Sequence, residues 1–115
     1  MVDQVAIVIP RPIYREGSAF TATAYFRTRS TAEESTPTNV KYRLDCLTTG
    51  KVVADWTDVT PAASVSISVT GTHNAIQDQG NLQEVKQLTV AADHGLDTRV
   101  HETAIWRVEN LQGIT

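Results

Sequence analysis

The sequence predicts an all-β domain built from two packed antiparallel sheets. Three observations carry that expectation. Apolar residues recur with a period of two in several short segments, as they do in strands with one buried face. Val, Ile and Thr dominate those segments, and Gly, Pro, Asn and Asp cluster between them. No window holds an apolar stripe at helical spacing.

The clearest strand runs from Ala19 to Arg29. Phe20, Ala22, Ala24 and Phe26 take one face, while Thr21, Thr23, Tyr25, Arg27 and Arg29 take the other. Val40, Tyr42, Leu44 and Cys46 alternate with Lys41, Arg43 and Asp45 in a second strand. Val65, Ile67 and Val69 alternate with Ser64, Ser66, Ser68 and Thr70 in a third. Leu88, Val90 and Ala92 mark a fourth; Ala104, Trp106 and Val108, set against Thr103, Ile105, Arg107 and Glu109, mark a fifth. Val5 to Ile9 is continuously apolar before Pro10 and Pro12, which suits an interrupted first strand at a sheet edge. Val52 to Trp56 follows Leu47-Thr48-Thr49-Gly50-Lys51, where Gly50 supplies the left-handed residue of a hairpin turn. These runs make about seven antiparallel strands. Turn signals at 15–17, 32–38, 60–61, 74–81 and 93–95 give the spacing of an immunoglobulin-like β-sandwich. The connection 72–82 is longer than a tight turn and reads either as a short helix around Ala75-Ile76-Gln77 or as an ordered loop.

The chain has 115 residues, of which 41% are hydrophobic and 20% charged, enough apolar material for one core and too little for two. With no internal repeat and no linker, residues 1–115 form a single domain. A net charge of -3 and a pI near 5.5 argue against a partner with a phosphate backbone, since such binding draws on clustered Lys and Arg. The apolar N-terminal run ending at Pro10 is too short for a signal sequence or a membrane span, which predicts a soluble product made in the cytoplasm. Cys46, the one cysteine, excludes an intrachain disulfide, and its parity predicts a small buried core residue.

Chemistry-bearing patterns are sparse. There is no Gly-x-Ser-x-Gly elbow, no Gly-rich phosphate loop and no local zinc spacing among His73, His94 and His101. Asp93, His94, Asp97 and His101 converge on the last hairpin, where they read either as a solvated polar turn or as a weak cation site. The expectation is therefore a protein without catalytic residues, metal or cofactor. Of seven aromatic residues, Phe20, Phe26, Tyr42, Trp56 and Trp106 fall on inward parities and Tyr25 faces out, with Tyr14 undecided, so few rings remain for stacking on a sugar.

If Val65 to Val69 is the strand beside Phe20 to Phe26, then Thr21, Thr23 and Tyr25 lie next to Ser64, Ser66 and Ser68. They form a flat patch without Lys or Glu, a candidate packing surface, the plain alternative being solvated Ser and Thr on a β face. Ile105, apolar on a polar parity, is a second candidate contact, unless a bulge or the termini bury it.

The stretch Tyr42-Arg43-Leu44-Asp45-Cys46-Leu47-Thr48-Thr49-Gly50-Lys51-Val52-Val53, followed by Asp55-Trp56-Thr57, resembles small structural proteins of tailed bacteriophages. Ser64 to Val69, Asn74-Ala75-Ile76 with Asp78-Gln79, and Lys86 to Val90 with Asp93 and Gly95-Leu96 extend the resemblance across about residues 40 to 110. The resemblance implies an immunoglobulin-like virion component, a head decoration protein or a connector or tail accessory, present in many copies or as a homo-oligomer on other virion proteins. It implies neither nucleic acid nor membrane as a partner. The competing reading is a free-standing β-sandwich that binds a carbohydrate or cell-surface polymer through the loops at one end.

Overall fold

Eight strands form two sheets in the computed structural model, which describes residues 4–27, 33, 35–93 and 99–111, Asp93 and Arg99 by their backbone alone. In chain order they are β1 (Gln4–Val8), β2 (Ile13–Arg15), β3 (Phe20–Arg27), β4 (Asn39–Cys46), β5 (Lys51–Val59), β6 (Ser64–Val69), β7 (Gln83–Asp93) and β8 (Arg99–Glu109). One sheet has the order β1-β3-β6 and the other β2-β8-β7-β4-β5. No α-helix occurs among the described residues, and the 70–82 connection is an ordered loop.

The inner faces meet as the alternation predicts. Val5, Ala22, Ala24, Phe26, Val65, Ile67 and Val69 come from the three-stranded sheet; Val40, Leu44, Leu88, Val90, Ala92, Trp106 and Val108 come from the five-stranded one. Ala22, Ala24, Phe26 and Trp106 are all fully or almost fully buried in this core, which is held by packing without a disulfide. Cys46 is buried as its parity predicts.

Four features depart from the sequence expectation. The first is an eighth strand. Pro10 and Pro12 end pairing in one sheet and let the chain cross to the other, where β2 runs parallel to β8. Tyr14 is thereby buried, stacked on Phe20 with ring centroids 4.3 Å apart, and its hydroxyl accepts the Arg11 amide at 2.9 Å. Phe20 in turn meets Trp106 edge-on at 5.1 Å.

The second is Trp56, expected inside and found 41% exposed. Strand β5 is bulged: Tyr42 pairs with Thr57 but Leu44 with Ala54, so two steps on β4 span three on β5. The extra residue flips the parity, Trp56 turns outward, and the Lys41 ammonium sits 4.9 Å from its ring centroid. A second slip between Leu44 and Asp45 turns Val52 outward as well.

The third is the length of the last hairpin. Strands β7 and β8 each span 11 residues, beginning at Gln83 and Arg99 rather than near Leu88 and Thr103. The start of β7 is hidden in the sequence because the inward positions before Leu88 are Glu84 and Lys86, 0% and 1% exposed.

The fourth follows from the third. Glu84 accepts from the amides of Gln77 at 2.7 Å and Asp78 at 2.9 Å, from Asn81 Nδ2 at 3.0 Å and from Lys86 Nζ at 3.2 Å. Lys86 also donates to the Ala75 carbonyl at 2.9 Å. Asn74, fully buried, donates to the Ser18 carbonyl at 2.7 Å and accepts from the Trp106 indole at 2.8 Å. Asn110 Nδ2 donates to the carbonyls of Gln79 and Asn81. These side chains replace the backbone ladder that a helix would have supplied, and they fold the loop over the end of the sandwich.

Candidate protein interface

Antiparallel pairing of β3 with β6 sets Thr21 opposite Ser68, Thr23 opposite Ser66 and Tyr25 opposite Ser64. The six patch residues predicted from the sequence thus lie together on one outer face. On the other side of β3, Ala6 pairs with Tyr25 and Val8 with Thr23, two residues beyond the patch that strand alternation predicts. Val8 is 55% exposed. Its position was hidden because Val5 to Ile9 is apolar throughout, so the run itself does not say which residues face out.

The resulting surface has two full rows, Ala6-Tyr25-Ser64 and Val8-Thr23-Ser66, and a third row of Thr21 and Ser68. Arg27, opposite Gln4 at the end of β3, is the nearest charge on this face of the three strands. Ser64, Ser66, Ser68 and Thr21 are exposed, whereas Thr23 and Tyr25 in the middle strand are half-buried by their neighbours. Short side chains on a regular ladder leave a flat surface, and their hydroxyls need little desolvation compared with Lys or Glu. Such a face is cheap to cover.

The outer face of the five-stranded sheet has a different character. Arg43 Nε and Asp45 Oδ1 pair at 3.0 Å, Lys41 lies beside Asp58, and Arg15 lies beside Glu109. Ile105 sits on this face, 57% exposed, so neither a bulge nor the termini bury it. It borders a shallow depression with Pro12, Ile13, Val85 and Arg107. Ile105 is therefore on the opposite sheet from the Thr and Ser patch, and the two candidate contacts do not merge.

Of the residues considered for a cation, His94 and Asp97 lie outside the described residues, and Asp93 is described by its backbone alone. His101 is exposed on β8, opposite Ala91. Among the described residues no group of three His, Cys, Asp or Glu is disposed to hold a metal ion. His73 is held by the loop: its Nδ1 accepts the Thr70 amide at 3.1 Å, and burial pushes its pKa down.

Among the described residues the one strongly shifted acid is Glu84. Burial pushes its pKa up, but the amides of Gln77 and Asp78, the Asn81 amide group and the Lys86 ammonium outweigh it and hold the carboxyl at about 2. Both its oxygens are occupied by groups of the chain, so this carboxylate ties the loop to β7. Among the described residues no helix is long and apolar enough to cross a membrane. No protein-family model, curated protein or solved structure matches the chain.

Proposed function

We propose that this chain is a non-catalytic, immunoglobulin-like structural module that assembles with other proteins through the outer face of its three-stranded sheet, as a component of a tailed-phage virion. The observation that carries the proposal is that face: two rows of Ala6-Tyr25-Ser64 and Val8-Thr23-Ser66, flat and uncharged, opposite a sheet whose outer surface carries charges of both signs, Arg43 paired with Asp45 among them. A face kept for solvent gains nothing from excluding Lys and Glu, whereas a contact surface avoids their desolvation.

The immunoglobulin-like assignment draws support from the strand order. A three-stranded β1-β3-β6 sheet faces β2-β8-β7-β4-β5, and the first strand divides between the sheets at Pro10 and Pro12. Two hallmarks of antibody domains are missing. There is no disulfide between the sheets, and the buried Trp is on the last strand, where Asn74 satisfies its N–H. The virion address draws on the resemblance of residues 40 to 110, head and tail positions being equally compatible with it.

Co-sedimentation with particles of the phage or prophage that encodes the chain tests this reading. Wild-type protein should pellet saturably with the particles. Thr23→Arg, which places a charge in the middle of the face on an unbulged strand, should abolish pelleting while leaving the circular dichroism unchanged. Pelleting that survives Thr23→Arg contradicts the assignment to this face.

Trp56 favours a second reading, a carbohydrate-binding module, because its ring is exposed. Lys41 already lies over that ring, which weakens it as a stacking platform. Tryptophan fluorescence that does not respond to host cell-wall polysaccharide removes this reading.

A further inference from the structure

Two of the four terminal strands, β2 and β5, carry a guard against edge pairing in their own residues, and a third, β1, packs against β8 of the facing sheet. Strand β2 is three residues long and follows Pro12; β5 has two bulges and carries Lys51, Asp55 and Asp58. Strand β6 has none of these devices. Its sequence, Ser-Val-Ser-Ile-Ser-Val, is uncharged and free of proline, its ladder with β3 has no register shift, and no described strand pairs on its far side.

The hydrogen-bond parity of that far side follows from the ladder. The Phe26 amide donates to the Ala63 carbonyl at 2.9 Å, and residues 26 and 63 are the next partners after Ala24 and Val65. Bonded and non-bonded pairs alternate along an antiparallel ladder, so Val65, Ile67 and Val69 turn their backbone groups toward β3. The N–H and C=O groups of Ser64, Ser66 and Ser68 consequently point away from β3, along the open edge.

We propose that this edge pairs with β6 of a second copy of the chain, antiparallel about a two-fold axis beside Ser66, making a continuous six-stranded sheet. The inference rests on the reading of the chain as an assembly protein and names a contact that reading leaves open. A self-complementary strand is what a two-fold contact requires, because residue i meets residue j and j meets i. With Ser66 opposite itself, Ser64 faces Ser68 of the second copy and Val65 faces Ile67. Serines then stay on the outer face and apolar side chains on the inner one. No charge meets a like charge. All three outward-pointing residues fall in bonded pairs, so the contact makes six backbone hydrogen bonds.

The neighbouring registers are poorer. Moving the axis to Ile67 would need Thr70, whose amide is already given to His73 and whose carbonyl accepts from Asn74. Moving it to Val65 runs past the end of the strand into Ala62. The Thr and Ser face remains open in the pair and is doubled in area, so one contact makes the dimer while the other is free for a different virion protein.

Proline at 66 separates this contact from the fold. The Ser66 N–H does not serve the β3 ladder, so Ser66→Pro removes an edge donor at a position where proline is tolerated. By light scattering, the wild type should have twice the chain mass and Ser66→Pro the single mass with unchanged circular dichroism. Ser66→Cys should cross-link to a dimer under mild oxidation, since bonded partners lie about 5.5 Å apart and Cys46 is buried. Thr23→Arg, which disables the outer face, should keep the double mass. A wild type of single mass, a Ser66→Pro variant of double mass, or a Ser66→Cys variant that does not cross-link overturns the edge contact. If particle binding persists in that case, the assembly reading stands without it; if it is lost too, both fall.

Discussion

Glu84 concentrates more consequence than any other single side chain of the described residues. It is fully buried, it is charged, and four groups converge on it from the 75–82 segment and β7. Its pKa of about 2 lies below the unperturbed 4.5, so the folded state favours the ionised form. The resulting stability is fully present above pH 4.5 and is lost as the pH falls from there toward 2. A shift of that size corresponds to about 3 kcal/mol. Urea unfolding followed from pH 7 to pH 2.5 should show this loss, and Glu84→Gln should flatten it. The same substitution leaves the Lys86 ammonium buried without its counter-charge and should destabilise the protein at pH 7 by about 3 to 5 kcal/mol. A pH profile unchanged by Glu84→Gln would mean that the loop is held by other groups.

At the scale of single elements, pairing decided what alternation could not. The alternation rule located β3, β4 and β6 to within a residue or two because each is regular and half-buried. It misread Trp56 because a bulge changes parity without leaving a mark in the residue types. The exposed Trp56 should therefore tolerate truncation, Trp56→Ala lowering stability by about 1 kcal/mol or less, whereas Trp106→Ala should lose about 3 to 5 kcal/mol through its cavity and the stranded Asn74. Equal losses in thermal unfolding would contradict the bulged register. The start of β7 was illegible for another reason: Glu84 and Lys86 are legible as core only once the loop that satisfies them is known. That loop also depends on a close approach, since a Cβ on Gly71 would lie 2.6 Å from the Gly17 carbonyl oxygen. Backbone cannot give way as a side chain does, so Gly71→Ala should lower the unfolding midpoint in urea, by an amount corresponding to about 1 to 3 kcal/mol.

Across the whole molecule, two sheets of unequal width divide the surface by chemistry. The five-stranded sheet presents the Arg43–Asp45 ion pair and a lysine over a tryptophan, and the three-stranded sheet presents hydroxyls, Ala6, Val8 and Tyr25. The Thr and Ser half of that face was readable from parity together with one assumed pairing, which the register bears out. Its β1 row was not readable, because an entirely apolar run carries no parity. The β6 edge was equally out of reach, since an edge is defined by what fails to pair with it. The central claim, that the outer face of the three-stranded sheet is an assembly surface, makes its sharpest prediction in particle binding. Light scattering of wild type, Thr23→Arg and Ser66→Pro, alone and with the particles, is the direct test. Particle binding lost with Thr23→Arg while all three chains stay folded is the predicted result; particle binding that ignores Thr23→Arg would contradict the account.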